Sequence, residues 1–537
     1  MIAGLLLSAF ALGGLCGTAA AEDFEPADFN VTSELLKLGV DVSKLPGLSG
    51  LGGRDVSAPC TAACKSLSAL YGDNAVYAQN TTGYGAFTSA YWSSIQSEVD
   101  PLCIFKPAKV ADVSVLVLLS RLTQCPFAFK SGGHAAFAGA SSVEGGITVS
   151  FENFKDVTVS RDRKTVKIQP GNNWVDVYKV LDPQDLTVTG GRVARVGTGG
   201  LTLGGGISYF SNIYGWACDN VVSYEVVTAS GRVVHATPTA FPKLYWALRG
   251  GGNNFGIVTS FTFETIPLPK GQMWGGTRTY LESNFEGVVD AFAGVIANSP
   301  SDPNAGIWVA WILKYGLKLA ATELYYAKPD GAANATIFND FKAMTPIADT
   351  TKSRNVSEYS EAQQSTNPYG LREVYWCMTV KADARIARVA RDIYYQERPA
   401  VANIEGAGPV LIFQGITVGQ MQKMSRNGGN ALGLDHRDGP LYLIQIACWW
   451  KNAADDEAIY AFARKVMDRI AAEATALGVQ SDYIYMNYGS RFQNVIAGYG
   501  ADNVNKLRDI ARQYDPKAVF QTLQPGHFKL DRAPVSS

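Results

Sequence analysis

Three glycine clusters bear first on what the chain can bind: SGGH at Ser131 to His134, GTGGLTLGGG at Gly197 to Gly206, and RGGGNNFG at Arg249 to Gly256. Clustered main-chain N–H groups at positive-φ turns form a nest for a pyrophosphate without needing cationic side chains. That suits a dinucleotide. The G-x-G-x-x-G fingerprint does not fit, because its sixth position falls on Thr202 counting from Gly197 and on Tyr209 counting from Gly204. No G-x-x-x-x-G-K-[ST] loop is present either. The reactive side chain among the glycines is His134, in KSGGHAAFAG, where almost every neighbour has little or no side chain.

The four histidines, His134, His235, His436 and His527, are far apart, with no H-x-H or H-E-x-x-H, so no metal site is expected. No G-x-S-x-G elbow points to a serine hydrolase. A flavin is the remaining candidate with reactive chemistry of its own, and the small residues around His134 leave room for its ring beside a nucleophilic nitrogen.

The elements that must position these residues read as mixed α and β. Lys109 to Gln124 carries apolar residues at helical spacing, PFAFK predicts a short strand entering the His134 loop, and GGITVSF predicts another. VTVS and TVKIQ flank RDRK as a hairpin, and NWVDVYKVL predicts a helix. Between Gly190 and Gly215, nine of 26 residues are glycine, interleaved with apolar residues that favour burial over disorder. Beyond PLPKGQ the composition shifts, and strands such as GIWVAWIL, EVYWCMTV and LYLIQIACWW alternate with amphipathic helices. The expected organisation is a signal peptide at 1–21, an irregular disulfide-pinned segment at 22–98, a first domain at 99–269, a second at 270–480 and a C-terminal section at 481–537.

Length and composition fit a globular protein of two or three domains: 537 residues, 47% hydrophobic. A formal charge of −1, from 47 basic and 48 acidic residues without blocks of one sign, argues against nucleic acid or anionic lipid as partners. The apolar N-terminus runs to Ala19-Ala20-Ala21, fits cleavage before Glu22, and is too short for a comfortable membrane span. Secretion or residence in the secretory lumen is therefore expected, with no membrane attachment after cleavage. Sequons at Asn30, Asn80, Asn334 and Asn355 predict N-glycans at some of these sites. Cys60, Cys64, Cys103 and Cys125 predict two disulfides with three connectivities open. At least one of Cys218, Cys377 and Cys448 must then be a free thiol.

In order along the chain, KSGGHAAFAGAS, GGRVARVGTGGLTLGGGIS, YGWACDNVVSYEVVTASG, YWALRGGGNNFGIVTSF, GGNALGL, YMNYGS and FQTLQPGHFKL resemble the berberine bridge enzyme-like family of secreted FAD-linked oxidases, with the vanillyl alcohol oxidase-type (PCMH-type) flavin fold. The resemblance runs from about Cys60 to the C-terminus and is strongest to fungal members. It implies an α+β fold: a two-part FAD-binding domain, a substrate domain with an antiparallel sheet covered by helices, and a C-terminal segment returning to the FAD domain. It implies FAD bonded through its 8α-methyl to His134. It further assigns to the cofactor Lys130, Ser131, Gly132, Gly133, Gly139, Val196, Gly197, Thr198, Gly199, Gly200, Gly204, Gly205, Cys218, Asn220, Gly256, Ile257 and Val258. The family's second tether, a cysteine, falls here on Val193, so a single tether is expected, with Cys218 a buried thiol rather than a substitute. Valine at Val196 implies an oxidase, with O2 as acceptor and H2O2 as product.

Hydride transfer from a substrate C–H needs a base for an attached O–H or N–H. The resemblance points to Tyr488, Tyr485 and Gln445, with Asn487 orienting a tyrosine. A phenol titrating near ~10 needs a cation or hydrogen bonds to serve near neutral pH. With no charge in LYLIQIACWW and several aromatics in the surrounding motifs, a neutral, partly aromatic metabolite is the expected substrate, as alcohol, amine or phenol. The alternatives are an oligosaccharide oxidase, a flavin-containing cyclase, and a secreted binding glycoprotein without activity.

Overall fold

The computed structural model describes residues 25–48, 58–329, 331–332 and 335–535. The signal-peptide segment and the sequon at Asn334 lie outside the described residues. The fold is α+β, built from several sheets with helices between and upon them.

A four-stranded sheet orders Val76–Ala78, Cys103–Phe105, Ile147–Ser150 and Phe127–Lys130, the last three mutually parallel. Helix Val110–Thr123 packs here and is buried nearly all round, because its valines and leucines leave no polar face. Asp112 caps its N-terminus by accepting from the backbone of Ala108 and Lys109 at 2.9 and 3.1 Å. Gln124 ends it in the left-handed conformation. A five-stranded antiparallel sheet follows: Val157–Val159, Thr165–Ile168, Ile257–Glu264, Val221–Val227 and Val233–Ala236.

The segment at 22–98, expected to be irregular, is substantially helical, with Val31–Lys37, Pro59–Tyr71 and Thr82–Thr88. Its cysteines, threonines and glycines mask a buried stripe: Ala62, Ala63, Ser66 and Leu67 of the second helix face the core. Disulfides Cys60–Cys125 and Cys64–Cys103 fasten that helix to both ends of the Cys103 to Cys125 stretch. Cys218, Cys377 and Cys448 are free and buried.

Among the described residues the largest sheet has nine strands, all antiparallel, its central ones being Leu317–Tyr326, Ala305–Lys314, Val410–Ile416, Leu441–Trp450 and Arg372–Lys381. Alternate residues point to opposite faces. Val309, Trp311, Leu411, Phe413, Ile444, Ile446, Val374 and Trp376 pack with helices Phe285–Asn298, Ala384–Glu397 and Asp456–Ala476. The intervening residues face inward. The chain then returns: the amide of Phe127 donates to the carbonyl of Leu523 at 2.7 Å, and the Lys529 ammonium donates to Asn253 and to the Phe520 carbonyl. Among the described residues no helix is long and apolar enough to cross a membrane.

Candidate active site

The SGGH loop leaves the strand Phe127–Lys130 and bends through Gly133, which has φ +67°. Gly132 presses on Gly197: a Cβ added there would sit 2.4 Å from the Gly197 nitrogen, so no side chain fits. The Ser131 hydroxyl joins the two segments, donating to the carbonyl of Pro170 and accepting from the Gly199 amide. The segment YWSSIQ clamps the other side. Trp92 donates its amide to Gly133, and the Gln96 amide donates to the carbonyls of Gly133 and Ala135 at 3.2 and 2.7 Å.

His134 stacks on Trp92, ring centres 4.0 Å apart and planes 12° from parallel. Burial pushes its imidazole down to about 4, so it is neutral at physiological pH, and its Nε2 is buried without a hydrogen-bond partner. A buried polar atom left unpaired is costly and marks a place where a partner is missing.

One cavity of about 550 Å³ runs between these loops, the inward face of the nine-stranded sheet and the C-terminal section. Ser131, Gly132, Gly133, His134, Val196, Gly197, Gly199, Gly200, Gly256, Ile257, Val258, Gln445, Tyr485 and Tyr488 all line it. Lys130, Gly139, Thr198, Gly204, Gly205, Cys218 and Asn220 do not. Lys130 alternates away from Phe129 and Ser131, its ammonium 4.3 Å above the rings of Phe87 and Tyr91, and burial lowers its pKa to about 8. Gly139 faces His527, whose Nε2 pairs with the carbonyl of Ala138. Gly204 and Gly205 are glycine for packing, since a Cβ would run into Asn487 and Trp216 respectively. Thr198 donates to the Gln169 carbonyl. Asn220 donates to Tyr214 and Trp216 and accepts from Arg426. Cys218 is wholly buried beside Asp219, and burial raises its thiol well above the ordinary range. Behind it Arg249 forms a fully buried ion pair with Asp219 at 3.1 Å and donates to the Cys218 carbonyl, so that RGGG and ACDN hold each other.

The two tyrosines of YMNY differ. The Tyr485 hydroxyl accepts from the amides of Gly206 and Ile207 and from Asn487, at 3.1, 3.2 and 2.9 Å, and so braces the glycine loop. The Tyr488 hydroxyl instead accepts from Arg192 at 2.9 Å. The same guanidinium nitrogen donates to Gln414 at 2.6 Å, and the group lies 4.6 Å over the ring of Trp308. Burial works against the Arg192 charge, but the phenols of Tyr488, Tyr325 and Tyr209 outweigh it and its pKa is raised.

The cavity wall is also more charged than the strand Leu441–Trp450 suggests. That strand contributes Gln445, Ala447 and Trp449, but its neighbour Arg372–Lys381 adds Glu373, and Leu317–Tyr326, farther across the same sheet, adds Glu323. Glu323 is pushed up to about 7 by burial, partly offset by hydrogen bonds from Thr277 and Tyr359, and accepts from Gln363 at 2.7 Å. Glu373 is 1% exposed, neither oxygen has a hydrogen-bond partner, and burial pushes it up to about 10. Sequence reasoning missed Arg192, Trp92 and both glutamates. The signal available for the glutamates was an acidic residue inside an otherwise apolar strand, as in REVYWC.

A family described as an FAD binding domain matches residues 101–237. The FAD-dependent monooxygenase tpcD of Cochliobolus heterostrophus is 34% identical over 457 residues, covering 82% of this chain and 87% of that protein. Among solved structures, BBE-like #28 from Arabidopsis thaliana superposes with a TM-score of 0.69 at 17% identity, covering 86% of this chain and 98% of that one. The xylooligosaccharide oxidase of Myceliophthora thermophila, solved with xylobiose, gives a TM-score of 0.68 at 22% identity over 86% and 98% of the two chains. The residues fit FAD: the cavity lies within the roughly 300–1,000 Å³ of small-molecule sites, an added Cβ at Gly200 would meet nothing within 4 Å, and the Nε2 of His134 is an orphan at its wall.

Proposed function

The chain belongs to the berberine bridge enzyme-like family of FAD-linked oxidoreductases, and from that premise we propose that it is a secreted oxidase of a small organic metabolite, with FAD tethered at His134 alone. The observation that carries this reading is the convergence of His134 and the Arg192–Tyr488 pair on one cavity. The chemistry FAD supplies when bound is acceptance of a hydride from a substrate carbon and its delivery to O2 as H2O2.

Tyr488 takes the proton from the substrate O–H or N–H. Arg192 donates to the phenolic oxygen at 2.9 Å and so fixes where that oxygen stands in the cavity. Gln414 and Trp308 hold the guanidinium in place, so the donor is oriented before substrate arrives. Tyr485, occupied by three donors, positions the glycine loop. The imidazole of His134, neutral and flattened against Trp92, is a competent nucleophile for the tether. Valine at Val193 leaves no thiol for a second one, and Cys218 is sealed away from the cavity. Val196 at the cavity wall supports O2 as acceptor. The two disulfides support export, and Asn30, Asn80 and Asn355 remain glycosylation sites under this reading.

The name of the relative from Cochliobolus heterostrophus favours a second reading, monooxygenation. Turnover under isotopically labelled O2 separates the two. An oxidase releases one H2O2 per O2 consumed and leaves the product unlabelled, whereas label in the product with little H2O2 would establish a monooxygenase. No O2 consumption with any alcohol, amine, phenol or oligosaccharide would defeat both.

A further inference from the structure

Glu373 is the feature of the cavity that the proposed reaction does not use. It stands on the strand Arg372–Lys381 at the end of the sheet face, directly opposite Trp449 in the register and two residues before Tyr375 on the same face. All three line the cavity, and Trp92 lies 5.5 Å from Tyr375. A carboxyl in such a place is either neutral and donating, or ionised and paired. Here it has no partner of either kind: both oxygens are buried, neither is hydrogen-bonded, and no cation is among the causes of its raised pKa. Arg192 is committed elsewhere, to Gln414 and Tyr488.

The surroundings select among ligands. A carboxylate beside tryptophan and tyrosine on one cavity wall suits an organic cation, which gains a counter-ion and cation–π attraction together. A neutral hydrogen-bonding group would gain neither. The cost of ionising the buried Glu373 is offset when an ammonium arrives with it.

Resting on the oxidase reading of the same cavity, we propose that Glu373, walled by Trp449 and Tyr375, is a subsite for a cationic nitrogen, so that the substrate is an aromatic or alicyclic compound carrying a protonated amine away from the carbon that is oxidised.

The test is calorimetric binding of phenethylammonium and of 2-phenylethanol, matched in size, to the FAD-loaded enzyme near neutral pH. Wild type is expected to bind the ammonium at least tenfold more tightly, and Glu373→Gln, which keeps the volume and a donor but not the charge, to bind both alike. Tyr488→Phe is expected to keep the preference. Equal affinity in wild type overturns the proposal, as does a preference that survives in Glu373→Gln. Should that variant fail to fold, Glu373→Leu serves in its place, and the wild-type comparison alone can still overturn the idea. Binding is read without turnover, so failure of the oxidase reading leaves a positive result intact, and an active oxidase without ammonium preference removes only the subsite.

Discussion

The guanidinium of Arg192 donates to the phenolic oxygen of Tyr488 at 2.9 Å, joining residues 296 apart in sequence within the cavity that also holds His134. One comes from the glycine-rich loop and the other from the returning C-terminal section, so neither half of the protein contains the whole of the proposed acid–base apparatus.

Removing the phenol tests that apparatus directly. Tyr488→Phe is expected to lower kcat by roughly 10²–10⁴-fold while flavin content stays at the wild-type level. Arg192→Met should reproduce most of that loss with little change in KM. Steady-state kinetics on both variants check this, and a fully active Tyr488→Phe would move the base to another residue.

The tether gives a result visible by eye. Acid-denatured wild type is expected to remain yellow, and so is Cys218→Ala, whereas His134→Ala should release its flavin to the supernatant. Free flavin from wild type would mean that the cofactor is held without a covalent bond.

Glu373 makes stability depend on pH. Its folded value of about 10 lies above the ~4.3 of an exposed glutamate, so its contribution is complete below about pH 4 and is lost as pH rises towards 10, at up to ~1.4 kcal/mol per unit. Glu373→Gln does not titrate. It should therefore melt above the parent protein at pH 8 and by a smaller margin at pH 5. A pH-independent margin in thermal unfolding would show that the carboxyl is solvated.

The disulfides close stretches of 65 and 39 residues. Replacing Cys64 and Cys103 by serine is expected to cost roughly 2–5 kcal/mol, read as a lower denaturation midpoint, with the spectrum of bound flavin unchanged because the bridge lies outside the cavity lining.

Breaking the buried ion pair should be as damaging. Arg249→Met strands Asp219 without its cation, at a cost of about 3–5 kcal/mol, and loosens both segments it joins. Chemical denaturation with a parallel measurement of flavin content checks the coupling. Unchanged flavin binding would confine the pair to a purely structural role.

Much of the cofactor side was legible because glycine and histidine report on the backbone and on chemistry directly. SGGH, GTGG and the Gly256 to Val258 stretch that opens the strand Ile257–Glu264 all reach the cavity. Gly204 and Gly205 lie outside the cavity lining for a physical reason: a missing side chain accommodates either a ligand or a neighbouring residue, and the neighbours where a Cβ would stand are Asn487 and Trp216. The substrate side was less legible. Glu373 faces the cavity from beside a strand whose own residues are uncharged, Arg192 meets Tyr488 only through the tertiary fold, and Trp92 closes on His134 from a segment expected to be irregular. Such pairings carry no local period.

The alternation along the nine-stranded sheet has an evolutionary reading. Residues such as Ile412, Gln414, Gln445 and Trp449 line the cavity, while the positions between them, Leu411, Phe413, Ile444 and Cys448, anchor the helices. Preference for a new metabolite is thus open to single codon changes at every second site, with the scaffold's adhesion untouched. Loops holding the redox centre need not take part. A lineage built this way can diversify its chemistry one inward side chain at a time.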